Sequence, residues 1–153
     1  MGESPTPVRI GELLQQVTSI FQDSGGVAIR ANVDEELEAF LPIDATRQVL
    51  TALVRNAVDA SCSGQVVDLR ADSAAGLLRF TVRDAGAGMT PNVLNRLSEP
   101  FFTTKGPGRG MGLGTFLVRV FAENLKGNLA FESEVDAGTK AVLELPLITH
   151  DRE

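Results

Sequence analysis

Apolar positions recur at helical spacing in three stretches of the chain. In VRIGELLQQVTSIFQD, Leu13, Leu14, Val17, Ile20 and Phe21 share one face of a 3.6-residue period. This predicts an amphipathic helix over about residues 11–22, after a short extended entry and before the stop at Gly25 and Gly26. From Asp44 to about Cys62 the apolar face is broader, carried by Val49, Leu50, Leu53, Val54, Ala57, Val58 and Ala60, with Asp44 as the expected N-cap and Ser63-Gly64 as the end. GLGTFLVRVFAENLKG, residues 112–127, predicts the third helix from a glycine-rich start. Elsewhere the period shortens to two. VAIRANV (27–33) alternates, LEAFLPID (37–44) reads as extended, and QVVDLRAD (65–72) and GLLRFTVRD (76–84) predict strands joined through Ala74, Ala75 and Gly76. NLAFESEV and GTKAVLELPL predict a closing hairpin. Residues 85–110 are rich in Gly and Pro, with one short helix expected at 91–97; a connection of that length in a compact domain points to a ligand lid. The order of elements predicts an α/β fold, a two-layer sandwich in which helices cover one face of a mixed, largely antiparallel sheet.

Composition bounds this picture. The 153 residues suit one domain, expected over 8–147 between a flexible lead-in, 1–7, and a polar tail, 148–153. With no Trp or Tyr, the eight Phe must supply all the aromatic packing. The net charge of −6 argues against nucleic acid as a partner but leaves room for a small anion held by local cations and amides. No apolar run approaches the roughly 20 residues of a bilayer span, and MGESPTPVRI has no signal-peptide core. A cytoplasmic location with no direct membrane contact by this segment is expected, although a larger parent protein can be membrane-attached. The single cysteine, Cys62, excludes an intrachain disulfide and is expected to be small and at least half-buried.

Three stretches carry candidate chemistry. On the second helix, Asn56 and Asp59 lie beside the apolar stripe and not opposite it. Asn56 is either a polar boundary residue or a neutral amide oxygen able to ligate Mg²⁺ among phosphate oxygens and waters. Asp84 ends a predicted strand and precedes Gly86, Gly88, Met89 and Thr90. DAGAG is either a tight turn or a carboxylate that accepts from an exocyclic amino group such as adenine N6, with glycines letting the backbone approach a flat ring. In EPFFTTKGPGRGMGLGTF, Lys105 and Arg109 can bring positive charge to a phosphate tail. Gly106, Gly108, Gly110, Gly112 and Gly114 let amides turn inward at a helix start, an arrangement suited to anions. Phe101 and Phe102 serve as anchors that seat such a loop on the core. The spacing is neither GxxxxGK[ST] nor a Rossmann fingerprint.

Taken together, these stretches resemble the catalytic and ATP-binding domain of sensor histidine kinases, in the superfamily that includes gyrase, Hsp90 and MutL. RNAVDA (55–60) matches its N box, DAGAG (84–88) its first G box, EPFFTTK (99–105) its F box and GMGLG (110–114) its second G box; GTKAVLELPL resembles its final strand. The run EPFFTTKGPGRGMGLG is similar to the redox-responsive two-component branch. The resemblance implies ATP and Mg²⁺ as cofactors and Asn56 as the metal ligand. It implies Asp84 as the adenine acceptor, with Gly86, Gly88 and Met89 in the base-side turn and Thr139 near the base. Arg55, Asp59, Thr103, Thr104, Lys105, Arg109, Gly110, Met111, Gly112, Leu113 and Gly114 would complete the nucleotide site. Asn56, Lys105 and Arg109 would assist donation of the γ-phosphoryl group to a histidine on a separate dimerisation domain, with a response regulator downstream. His150, the only histidine, sits in the tail and is not expected to be the acceptor.

One departure matters. Four positions before Asn56, where the family carries Asn or a catalytic Glu, stands Ala52, which cannot act as a base. This disfavours a gyrase-like hydrolase and leaves open a kinase of reduced activity or a non-catalytic ATP-binding interaction module; an anti-sigma-like protein serine kinase, which shares the same ATP fold, is a further alternative.

Overall fold

The computed structural model describes residues 3–97 and 114–149. The chain opens with β1 (Thr6–Arg9), runs into α1 (Ile10–Ser19), and continues through β2 (Ala28–Val33) and β3 (Glu38–Leu41) to the long α2 (Ile43–Ala60). β4 (Val66–Ala74), β5 (Leu77–Asp84) and the short α3 (Pro91–Arg96) follow. The chain closes with α4 (Gly114–Asn124), β6 (Asn128–Glu134) and β7 (Gly138–Pro146).

Five strands form one sheet in the order β2-β4-β5-β7-β6, in which only β2 and β4 run parallel. That pair is joined through α2, the crossover a parallel pair needs. The period-two alternation dictates the layers: Val67, Leu69 and Ala71 of β4, Leu78, Phe80 and Val82 of β5, and Ala141, Leu143 and Leu145 of β7 are all buried. They share one core with Leu13, Leu14 and Val17 of α1, Leu50, Leu53, Val54 and Ala57 of α2, and Val118 and Ala122 of α4. The opposite face is polar and is laced by pairs that stand directly across from one another in the register: Arg30–Asp68 at 2.7 Å, Arg79–Glu144 at 2.9 Å and Lys140–Glu132 at 3.5 Å. The expected α/β sandwich, with a mixed sheet covered on one face, is therefore the observed one.

Several boundaries differ from the sequence expectation, each for a local reason. Thr6 and Pro7, assigned to the lead-in, belong to β1, which pairs antiparallel with β3 so that Val8 meets Ala39. Asp44 is not the N-cap of α2. The cap position is Pro42, which offers no side-chain acceptor, and the exposed amides of Asp44 and Ala45 are taken instead by the Glu3 carboxylate, each at 3.0 Å. Asp44 sits inside the first turn and pairs with Arg47 at 2.9 Å. There its charge still favours the positive end of the helix dipole. α2 ends at Ala60, with Ser61 already extended, so Cys62 falls in the following turn and is exposed, not half-buried. The polar tail begins as an ordered segment, since the Phe40 amide donates to the Ile148 carbonyl at 2.6 Å.

Candidate nucleotide site

Asp84 is the fourth member of the row Leu78, Phe80, Val82, Asp84, and so points to the apolar side of the sheet. It is only 7% exposed. A carboxylate there is held back from ionising: burial raises its pKa above the ordinary aspartate value, and the amides of Gly86 and Thr139 only partly offset this. The Gly86 N–H donates to Asp84 Oδ1 at 2.9 Å, closing the tight turn that the DAGAG spacing suggested. Turn and acceptor are thus compatible readings of the same residues.

The loop after Asp84 has no regular structure, yet three hydrogen bonds fix it from outside. Gln65 accepts from the Cys62 amide at 2.8 Å through Oε1 and donates to the Ala85 carbonyl at 2.9 Å through Nε2. The Asp136 amide, in the β6–β7 turn, donates to the Ala87 carbonyl at 2.7 Å, and the Met89 amide donates to Ser133 Oγ at 2.9 Å. Two glycines make this approach possible. A side chain on Gly86 would run into the Ala60 carbonyl at the end of α2, and one on Gly88, at φ +70°, into the Glu134 carbonyl. β7 supplies Thr139, which pairs with Asp84 in the register.

The other wall is the seam between α2 and α4. Asn56 is half-buried, and its Nδ2 donates to Thr115 Oγ1 of α4 at 3.3 Å. Ala52, one turn earlier, lies where a methyl on Gly114 would stand 3.9 Å from its Cβ. Such a methyl would be in ordinary van der Waals contact, so Ala52 faces the start of α4 without being crowded against it. Asp59 is exposed, and Arg55 holds its guanidinium 5.0 Å from the centroid of the Phe21 ring, a cation–π contact that draws its charge toward the end of α1.

Of the expected site residues, the structure brings Asn56 on α2, Gly114 at the start of α4, Asp84, Gly86, Gly88 and Met89 after β5, and Thr139 on β7 around one end of the sandwich. Thr103, Thr104, Lys105, Arg109, Gly110, Met111, Gly112 and Leu113 lie outside the described residues, as do Phe101, Phe102 and His150. Sequence reasoning missed Gln65, Thr115 and Ser133. Ser133 was within reach, because the closing hairpin, once registered, puts it opposite Thr139. Gln65 had no such signal, since its role depends on a turn folding back toward β5.

A neutral amide oxygen on the half-buried wall suits a hard cation that takes most of its ligands from phosphate and water. Among the described residues, no cluster of three His, Cys, Asp or Glu could hold a metal by itself. No described helix is long and apolar enough to cross a membrane.

Residues 42–149 match the family described as histidine kinase-, DNA gyrase B- and HSP90-like ATPase. Among characterised proteins, the histidine protein kinase DivJ of Caulobacter vibrioides is 35% identical over 130 residues, covering 82% of this chain and 22% of that protein. Sporulation kinase A of Bacillus subtilis is 30% identical over 144 residues, covering 91% of this chain and 23% of that protein. Among solved structures, full-length ShkA in complex with AMPPNP superposes with a TM-score of 0.88 at 28% identity, over 99% of this chain and 33% of that one. The chain belongs to the histidine kinase-, DNA gyrase B- and HSP90-like ATPase family, and within it is similar to the ATP-binding parts of histidine kinases. It spans about a quarter of the length of the relatives it matches.

Proposed function

We propose that this domain binds Mg²⁺-ATP with the adenine against Asp84 and the phosphates toward the α2–α4 seam, and donates the γ-phosphoryl group to a histidine on a separate dimerisation domain. The observation that carries the reading is Asp84: an acid turned to the apolar face of the sheet, beside a loop tied open by two glycines. Burial costs stability, and an amino donor on the base offsets it. Asn56 would hold the metal through its amide oxygen, and Mg²⁺ would neutralise charge on the phosphates. Lys105, Arg109 and the amides of the 110–114 segment would add positive charge on the lid side. In the transfer, the bond between the γ-phosphorus and the β–γ bridging oxygen breaks while a P–N bond forms to the incoming imidazole, and ADP leaves. The imidazole is itself the nucleophile, so the chain needs to position the reactants more than to supply a base, and Ala52 is no obstacle to this chemistry.

A response regulator would take the phosphoryl group onward; ThkA, a histidine kinase of the same fold, has been seen in complex with the response regulator protein TrrA. The domain would work in the cytoplasm of its parent protein, without binding nucleic acid. The second reading, a domain that binds ATP without transferring it, rests on the missing polar side chain at Ala52, which would otherwise orient groups near the phosphates.

The experiment follows label from the γ-phosphate to a purified dimerisation domain carrying the acceptor histidine. Acid-labile label on that partner is expected. Acid-stable label would point to a protein serine kinase, and ATP binding without any transfer to a competent partner would select the non-catalytic module.

A further inference from the structure

Asp84, Thr139 and Ser133 form one cross-strand row, because Asp84 of β5 pairs with Thr139 of β7 and Thr139 pairs with Ser133 of β6. Ser133 Oγ makes three contacts: to the Met89 amide at 2.9 Å, to the Gly138 carbonyl at 3.0 Å and to Thr139 Oγ1 at 2.8 Å. A serine hydroxyl has one proton and two lone pairs. The Met89 amide can only donate and the Gly138 carbonyl can only accept. The Ser133 proton must therefore go to Gly138 if all three contacts are satisfied, and Thr139 must donate its own proton to Ser133. Thr139 then faces the site as an acceptor only. Ionised Asp84, its neighbour in the row, is also an acceptor only.

We propose that Ser133 is a specificity-determining positioning residue: by taking the Thr139 proton, it makes the base end of the site a row of acceptors that admits a 6-amino purine and rejects a 6-keto purine. This rests on the assignment of the adenine to Asp84 made above. Ser133 does not touch the base; it sets what Thr139 can offer. Without it, the Thr139 hydroxyl turns and can donate to a keto oxygen.

Calorimetry with ATP and with inosine triphosphate, whose hypoxanthine carries a keto group where adenine carries the amine, tests the assignment on the full chain. Ser133→Ala should narrow the ratio of ATP to ITP affinity about three- to tenfold, the range for one hydrogen bond gained or lost. Ser133→Thr, which keeps the hydroxyl, should restore it. In a Thr139→Val background, the ratio should no longer depend on residue 133. A purely structural tie to Met89 predicts instead that Ser133→Ala weakens both nucleotides equally, and that result, or an unchanged ratio in a folded variant, overturns the proposal. If Asp84→Asn abolishes ATP binding while Ser133→Ala leaves the ratio alone, the Ser133 assignment fails and the adenine assignment stands. Wild-type protein that binds neither nucleotide overturns both.

Discussion

The two walls of the site are built on different principles. The base wall is a loop without helix or strand, yet its polar groups at 85, 87 and 89 are each held by a residue from elsewhere: Gln65, Asp136 and Ser133. The phosphate wall is two regular helices, with Ala52 facing Gly114 across ordinary packing distance and Asn56 bonded to Thr115 at 3.3 Å. Order in the first comes from hydrogen bonds to its backbone and from glycines at which no atom can be added; order in the second comes from side-chain packing, in which a methyl added at Gly114 would find room. A base loop that resists change and a phosphate wall that tolerates it would suit a ligand whose ring is recognised and whose tail changes during reaction.

The largest effect that would separate the walls is at Gly88. Its φ of +70° is strained for any other residue, and a Cβ would meet the Glu134 carbonyl, backbone that cannot swing aside. Gly88→Ala should cost about 2–4 kcal/mol of stability by chemical denaturation and abolish ATP binding. Stability within about 0.5 kcal/mol of wild type would show that the base loop is as adjustable as the seam.

Asp84→Asn comes next, with opposite effects on stability and binding. Affinity for ATP should fall roughly 10- to 100-fold, the scale of a hydrogen bond to a charged acceptor. Stability should not fall. Because burial raises the Asp84 pKa in the folded state, the native protein binds the proton more tightly than the unfolded chain does. Its contribution to stability is greatest at low pH and is lost as pH rises through the raised pKa. At neutral pH the ionised group is a cost that asparagine removes. Denaturation midpoints measured from acid to neutral pH should therefore show the variant gaining on wild type as pH rises above the ordinary aspartate range. A variant that loses ground over that window would mean that the amides of Gly86 and Thr139 outweigh burial.

The two walls also differ in how far they could be read from the chain. Alternation in GLLRFTVRD gave β5 and put Asp84 on the row of Leu78, Phe80 and Val82, so an acid on the apolar face was legible as an anomaly before any coordinates. The seam was half legible: helical periodicity placed Asn56 beside the stripe, but not its partner Thr115, because the angle between two helices is set by packing and not by either period. The cap of α2 was misread for a related reason. A local rule favoured Asp44, while the amides were taken by Glu3, distant in sequence and brought close only by the pairing of β1 with β3. Residues that act through chain contacts of long range, Gln65 and Ser133 among them, leave no periodic trace.

On the phosphate wall, Asn56→Ala should leave the fold largely intact, since its bond to Thr115 is long, 3.3 Å, and the position is only half-buried, where a lost hydrogen bond costs on the order of 1 kcal/mol. Its effect should appear in metal dependence: ATP affinity measured with and without Mg²⁺ should differ for wild type and converge in the variant. Convergence already present in wild type would remove Asn56 from the metal site.

The smallest effect belongs to Gln65, and it probes how the base wall keeps its shape. One side-chain amide joins the turn after α2 to the loop after β5, accepting at Cys62 and donating at Ala85. Both groups lie near solvent, so water replaces them at little cost, and Gln65→Ala should lower stability by only about 0.5–1 kcal/mol. The loop itself should respond more than the global fold does. Amide hydrogen exchange across residues 85–89 should quicken several-fold while the β5 amides stay protected, because freeing Ala85 loosens one end of the loop without opening the sheet. Ser133 still holds Met89 at the other end, so ATP affinity should drop only modestly, about two- to fivefold. Exchange that accelerates equally in β5 would mean that the loop and the strand open as one unit, and the contrast between a tied loop and a packed seam would then reduce to a single cooperative structure.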